Sequence, residues 1–169
     1  MKKQVIGFVL VVACLHAISC SDRKDMELYK QGVDKYDLKD YQGAIADYTK
    51  AIELNPDLAE AYTARGIAKF DLKDYQGAIA DYAKAIDLKP DYADAYNNQG
   101  VAKFHLEDYQ GAIADYTKAI ELRPDDGGAY KNRGNAYLDL GQKEKALSDY
   151  LRAIKLGYSV RQETLDMCR

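Results

Sequence analysis

Asp40-Tyr41-Gln42-Gly43-Ala44-Ile45-Ala46-Asp47-Tyr48-Thr49-Lys50-Ala51-Ile52-Glu53-Leu54 recurs almost unchanged at Asp74 to Leu88 and at Asp108 to Leu122, each copy 34 residues after the last. A degraded fourth copy, Gln142 to Leu156, keeps Ala146, Tyr150, Ala153 and Ile154 at the matching offsets. Self-similarity at this period predicts stacked two-helix units, each too small to bury its apolar face alone, rather than one globular core. Such a solenoid is usually a binding surface.

Working outward from the repeat, Gly32, Gly66, Gly100 and Gly134 set a register of units at 25–58, 59–92, 93–126 and 127–160. In the second half of a unit, Tyr41, Ala44, Ile45, Tyr48, Ala51 and Ile52 fall at helical spacings of three and four, which predicts an amphipathic helix. Asp47, Lys50 and Glu53 lie outside that stripe, so Asp47, Asp81 and Asp115 are expected on a solvated face. Asp40, Asp74 and Asp108 stand at N-cap positions. Pro56, Pro90 and Pro124 end the first three units, because proline cannot continue the helical hydrogen-bond ladder. Asp57 and Asp91 then open the next helices, with Glu60 and Asp94 in capping-box position. Gly43, Gly77 and Gly111 each cost a helix about 1 kcal/mol relative to alanine. Close backbone contact and neutral inheritance by duplication both account for them. After Gly157, Ser159 is expected to cap a short helix whose Val160, Leu165 and Met167 partly cover the last unit, while Cys168 reads as a frayed-end thiol.

The N-terminus is of a different kind. Lys2 and Lys3 precede an apolar run from Val5 to Ala13, and small residues then lead to Cys20 and an abruptly polar Ser21-Asp22-Arg23-Lys24. This predicts a signal peptide over 1–19 and a short tether over 20–24. Even extended through Ile18, the run is shorter than the roughly 18–20 residues of a spanning helix. Ala17-Ile18-Ser19-Cys20 resembles a bacterial lipobox, which implies lipidation at Cys20 and, with Ser21 next, outer-membrane sorting. Lipidation at Cys14, plain cleavage and an uncleaved anchor are the alternatives. With 22 basic and 27 acidic residues left after the leader, the balance disfavours nucleic acid, which needs clustered cations to displace phosphate counterions.

The repeat resembles the tetratricopeptide repeat family. In that 34-residue pattern, position 4 is aromatic (Tyr62, Tyr96, Tyr130, with Leu28 in the first unit) and position 8 is Gly. Position 20 is Ala44, Ala78, Ala112 and Ala146; position 24 is Tyr48, Tyr82, Tyr116 and Tyr150; position 27 is Ala51, Ala85, Ala119 and Ala153. The resemblance implies an all-α, right-handed superhelical array of about four helix-turn-helix repeats, with residues 161–169 as a partial cap. Tyr is expected to fill the space between neighbouring units. Two departures stand out: Tyr158 replaces the closing Pro of the fourth unit, and position 11 is Lys35, Lys69 and Lys103, with Tyr36, Phe70 and Phe104 displaced by one. The lysine stems are expected to lie over the apolar layer.

The second helices barely vary between copies, whereas the first helices do. In the family the first helices line a concave groove. Carried over, the groove holds Tyr29, Thr63, Asn97 and Lys131 at position 5 and Val33, Ile67, Val101 and Asn135 at position 9. Phe70 and Phe104 come from position 12. Such a floor suits an extended peptide or a partner helix; the alternative is that Val33, Ile67, Val101 and the aromatics pack only between helices. The family's clamp for chaperone carboxylates needs Lys, Asn and Arg where this chain has Tyr29, Val33, Ile67 and Val101, and Lys131 with Asn135 does not complete one. His105 has no Cys or second His near it in sequence, and no phosphate loop or metal-ligand spacing occurs, so no catalytic residue, metal or cofactor is expected. His105 reads as an exposed helical side chain. The expected function is a non-enzymatic scaffold of the bacterial cell envelope that binds other proteins and is held at the membrane through Cys20. Self-assembly through end-to-end stacking, giving a homo-oligomer, and service as an accessory subunit of an enzyme are the alternatives.

Overall fold

A computed structural model describes residues 24–168; the leader, Cys14 and Cys20 lie outside the described residues. Helix α1 spans 24–37 and is followed by α2 (Tyr41–Leu54), α3 (Ala59–Asp71), α4 (Tyr75–Leu88), α5 (Ala93–His105), α6 (Tyr109–Leu122), α7 (Gly127–Asp139), α8 (Lys143–Lys155) and the short α9 (Gln162–Met167). Between α2 and α8 each helix packs on the one before it and the one after it. Helices α3, α5 and α7 also touch each other in turn, so the first helices of successive units form one continuous layer. No described helix is long and apolar enough to cross a membrane.

The core is assembled from small residues and one ring per unit. Tyr48, Tyr82, Tyr116 and Tyr150 are buried, and each lies on the glycine of its own unit. A methyl group on Gly66 would stand 2.6 Å from the Tyr82 ring. The ring therefore fills the gap between the two helices of its own unit as well as the one between units. Tyr48, for example, clusters with Ala44 and with Ala68 of the next unit.

The helix ends follow local chemistry. Asp40, Asp74 and Asp108 accept the amides of Gly43, Gly77 and Gly111 at 3.0, 3.0 and 2.9 Å. A side chain at those glycines would collide with the capping carboxylate, so the helix-interior glycines have a structural cause in the cap itself. The expected capping boxes at Asp57 and Asp91 do not form. The N-caps are Leu58 and Tyr92, whose side chains make no cap hydrogen bond, whereas the equivalent Asp126 accepts from Ala129 N. Freed from that role, Asp94 receives both Nη1 and Nη2 of Arg123, and Glu60 faces Lys89. The turn inside each unit needs a left-handed residue, supplied by Lys39, Lys73 and Glu107 with φ near +62 to +64° and by Gly141 in the fourth. The backbone pays for it with a bond such as Asp40 N to Lys35 O.

At the C-terminus, α9 is capped by Arg161 backbone geometry without a side-chain bond, so Ser159 is not its cap. Leu165, Cys168 and Val160 join Ala146 and Tyr150 in one cluster, while Met167 stays exposed. Cys168 is thus buried, not frayed, and its thiol donates to Thr164 O. Tyr158, in place of proline, lays its ring over Gly127 and Gly128 at the start of α7.

Candidate binding groove

Three carboxylates expected on a solvated face, Asp47, Asp81 and Asp115, are inside the units, as is the equivalent Asp149; they are 2, 4, 8 and 6 % exposed. They sit on the side of the second helix that meets the first, where a cation reaches each one. Lys35 and Lys50 hold Asp47, Arg65 and Lys69 hold Asp81, Lys103 approaches Asp115, and Arg133 holds Asp149. The position-11 lysines therefore end on buried carboxylates rather than merely covering the apolar layer. The two arginines also reach back: Arg65 Nη1 donates to Thr49 of the preceding unit and Arg133 Nη1 to Thr117, both at 3.0 Å.

Placed by this ladder, the variable first helices present the expected groove residues unevenly. Val33 and Tyr29 are half-buried against Tyr48 and Ala44, and Ile67 and Phe70 against Tyr82 and Ala78. Thr63 is buried, with its hydroxyl donating to Ala59 O, and does not reach the surface. The displaced aromatics Tyr36, Phe70 and Phe104 pack on Tyr41, Tyr75 and Tyr109 with centroids 5.2–5.4 Å apart. Much of the apolar set thus serves interhelical packing.

Toward the C-terminal half the surface opens. Val101, Phe104, His105, Tyr116, Asn132 and Asn135 line a recess of about 160 Å³ between α5, α6 and α7. Asn132 Nδ2 donates to Asn97 Oδ1 at 3.2 Å, which joins the position-5 and position-6 side chains of adjacent units into one rim. Asn135 is shared with a second recess of about 520 Å³, lined also by Lys131, Tyr150 and the segment after the repeats. The structure therefore brings Asn97, Val101, Phe104, Lys131 and Asn135 together; Phe70 reaches this group through the His105 ring, and Tyr29, Val33, Thr63 and Ile67 line neither of these two recesses. His105 is exposed as expected but not isolated. Its ring stacks on Tyr75 at 5.0 Å and meets Phe70 edge-on at 5.1 Å. Among the described residues no cluster of His, Cys, Asp and Glu is placed to hold a metal ion.

The tetratricopeptide repeat family model matches residues 93–126 and 128–156, and a TPR repeat model matches 32–73 and 66–106, so the two together span most of the chain. The chain belongs to the tetratricopeptide repeat family. Its array resembles the crystal structure of MamA, with 29 % identity and a TM-score of 0.77 over 84 % of this chain and 83 % of that one. It also resembles the first TPR domain of Spaghetti (RPAP3) bound to an HSP90 peptide, with 29 % identity and a TM-score of 0.69 over 70 and 94 % of the two chains. The TPR domain of Arabidopsis OM64 is similar at 28 % identity and a TM-score of 0.67, over 69 and 96 %. No curated protein sequence matches the chain. Sequence reasoning passed over Tyr150, Ser159, Arg161 and Thr164 as residues lining the larger recess. Only Arg161, an isolated cation just beyond the last unit, carried a signal that pointed to them.

Proposed function

We propose that this protein is a non-enzymatic interaction scaffold of the bacterial cell envelope. It holds an extended peptide or a helix of a partner protein along α5 and α7. The observation that carries this reading is the pair of recesses of mixed polar and apolar lining that share Asn135 on the layer of first helices. Grooves on helices take peptides in this manner, and the Spaghetti TPR domain of similar fold holds its HSP90 peptide. The basic start, apolar run and lipobox-like Ala17-Ile18-Ser19-Cys20 support export and a lipid anchor at Cys20, with outer-membrane sorting. Diacylglycerol plus an acyl chain at one cysteine gives the two lipid signals that durable anchoring needs. End-to-end self-assembly is the weaker reading, because α9 already occupies the far end of the array.

Two measurements test the two halves of the reading. Crosslinking in envelope extracts should recover partner proteins with the native chain and with Lys84→Glu, which is exposed on α4 outside both recesses. Recovery should be lost with His105→Glu/Asn132→Glu, and equal recovery by all three would place binding on another face. Incorporation of labelled lipid should vanish in Cys20→Ser; incorporation that persists sinks the anchor assignment.

A further inference from the structure

The two ends of the described array are finished differently. In the second, third and fourth units the first helix meets the unit before it through alanine: Ala68 lies with Ala44 and Tyr48, Ala95 with Ala85, and Ala129 with Ala119 and Ile120. In α1 the same two positions hold Glu27 and Asp34, both exposed. That is the polar outer face a terminal repeat needs. Helix α8, at the other end, does the reverse. The position that receives the next unit is Thr49, Ala83 and Thr117 in the first three units, with Arg65 and Arg133 reaching the two threonines, and it is Leu151 in the last. Leu151 is 54 % exposed. Ile154 is 41 % exposed, where Ile52 and Ile120, under the next unit, are 8 % and Ile86 is half-buried.

Helix α9 takes the place of a next unit on Ala146 and Tyr150 but leaves the outer flank of α8 open. Leu165 and Cys168 cover those two residues, and Leu147 is half-buried beside them. Leu147, Leu151 and Ile154, four and then three residues apart, run as a stripe along the open flank, the spacing of a seam between two helices. Glu144 and Lys155 stand three turns apart on one edge of that stripe. Both are exposed, and neither has an ion-pair partner among the described residues.

We infer that this flank of α8 is where two copies of the chain pair, tail to tail about a two-fold axis near Leu151. Antiparallel α8 helices crossing at Leu151 set Leu147 of one copy against Ile154 of the other. The same register brings Glu144 of each copy beside Lys155 of the other, so one face is complementary to itself in apolar surface and in charge, as an isologous contact requires. Head-to-tail stacking does not fit the face. It would set Glu27 of one copy on Ile154 of the next and drive Asp34 into the place that Leu165 and Cys168 already hold, burying carboxylates without partners. Neither Leu151 nor Ile154 lines the recesses of the groove, so the pairing does not depend on the groove reading. It gives one particle two grooves, which strengthens the hold on a partner that carries the recognised segment twice.

Sedimentation equilibrium of the full chain tests this from about 1 µM to about 1 mM, the range in which weak pairs dissociate. The mass should rise from the 19.0 kDa of one chain to twice that and no further. Leu151→Thr, which installs the residue of the first and third units, should leave a monomer across the range with the thermal melt of the native chain. Glu144→Lys and Lys155→Glu should each weaken pairing at least about tenfold, because each turns two attractions into repulsions. Glu144→Lys/Lys155→Glu should recover the native dissociation constant, since exchanging the charges restores both pairs. A monomer throughout overturns the proposal, as does pairing that Leu151→Thr leaves unchanged. A mass that climbs past the dimer replaces the closed two-fold with an open stack, and a double charge variant as weak as the single ones overturns the antiparallel register.

Discussion

Asp47 and Asp115 occupy the same position in two units and are both buried, yet their surroundings drive them in opposite directions. Burial works to raise the Asp47 carboxyl, but the ammonium groups of Lys35 and Lys50 outweigh it and leave it below the usual carboxylate range. For Asp115 burial wins. Lys103 stands 2.7 Å from Oδ2, off the line of a hydrogen bond, so that oxygen has no hydrogen-bond partner and the carboxyl is pushed up. A lowered carboxyl stabilises the fold above its unfolded value and loses that contribution as pH falls through the folded one. A raised carboxyl does the opposite, favouring the fold at low pH and ceasing to as pH rises through its folded value. Asp47→Asn should therefore destabilise by about 2 kcal/mol at neutral pH, the scale of hydrogen bonds to a charged group. Asp115→Asn should cost clearly less. Urea midpoints for the two variants should converge as pH is lowered below the carboxylate range; equal losses at neutral pH would mean that Lys103 serves Asp115 as well as Lys35 serves Asp47.

Between elements, the same ladder alternates along the chain. Arg65 bridges Asp81 of its own unit and Thr49 of the one before, and Arg133 does the same with Asp149 and Thr117. At the junction of α4 with α5 both partners change together: the threonine is Ala83 and the arginine is Gln99, whose amide donates only to Ile79 O at 3.3 Å. Restoring the pattern with Ala83→Thr/Gln99→Arg should place a guanidinium on Asp115 and stabilise the array by about 1 kcal/mol, after the lost Gln99 bond is deducted. Gln99→Arg alone should gain less, because its outer nitrogen lacks the hydroxyl. A double variant no better than the sum of the singles would show that the two positions are not coupled. This network was hidden from sequence reasoning for a physical reason. An aspartate outside an apolar stripe reads as solvated, and only the approach of the preceding helix, carrying Lys or Arg, turns that face inward. The caps at Asp40, Asp74 and Asp108 were legible because they depend on residues three apart, whereas Asp57 and Asp91 failed by one residue of register.

At the scale of the molecule, the period alone sufficed for the fold, since Gly, Ala and Tyr at fixed offsets leave two helices one way to approach. The groove was legible only in part. Sequence offsets say which residues share a layer but not which of them the neighbouring unit covers, so Val33 and Ile67 were named beside Val101 although neither lines the recess to which Val101 opens. The repetition that fixes the fold also concentrates one chemical vulnerability in every unit. Tyr48, Tyr82, Tyr116 and Tyr150 are each sealed over a glycine, and burial pushes Tyr48 and Tyr150 up to about 12 and Tyr82 and Tyr116 further still. With folded values above the unfolded one, their contribution is complete below about pH 10 and is lost as pH rises through the folded values. Ionisation in place is opposed by burial, because each ring packs on the glycine of its own unit and on core alanine side chains. Each unit is held only by its neighbours, so ionisation in one exposes the next ring and the loss propagates. Alkaline titration should therefore show phenolate absorbance from the buried rings rising in step with the loss of helical circular dichroism, and Tyr82→Phe/Tyr116→Phe should move that transition to higher pH. Complete tyrosine ionisation with the helical signal intact would show that the rings are reached by water without the array opening.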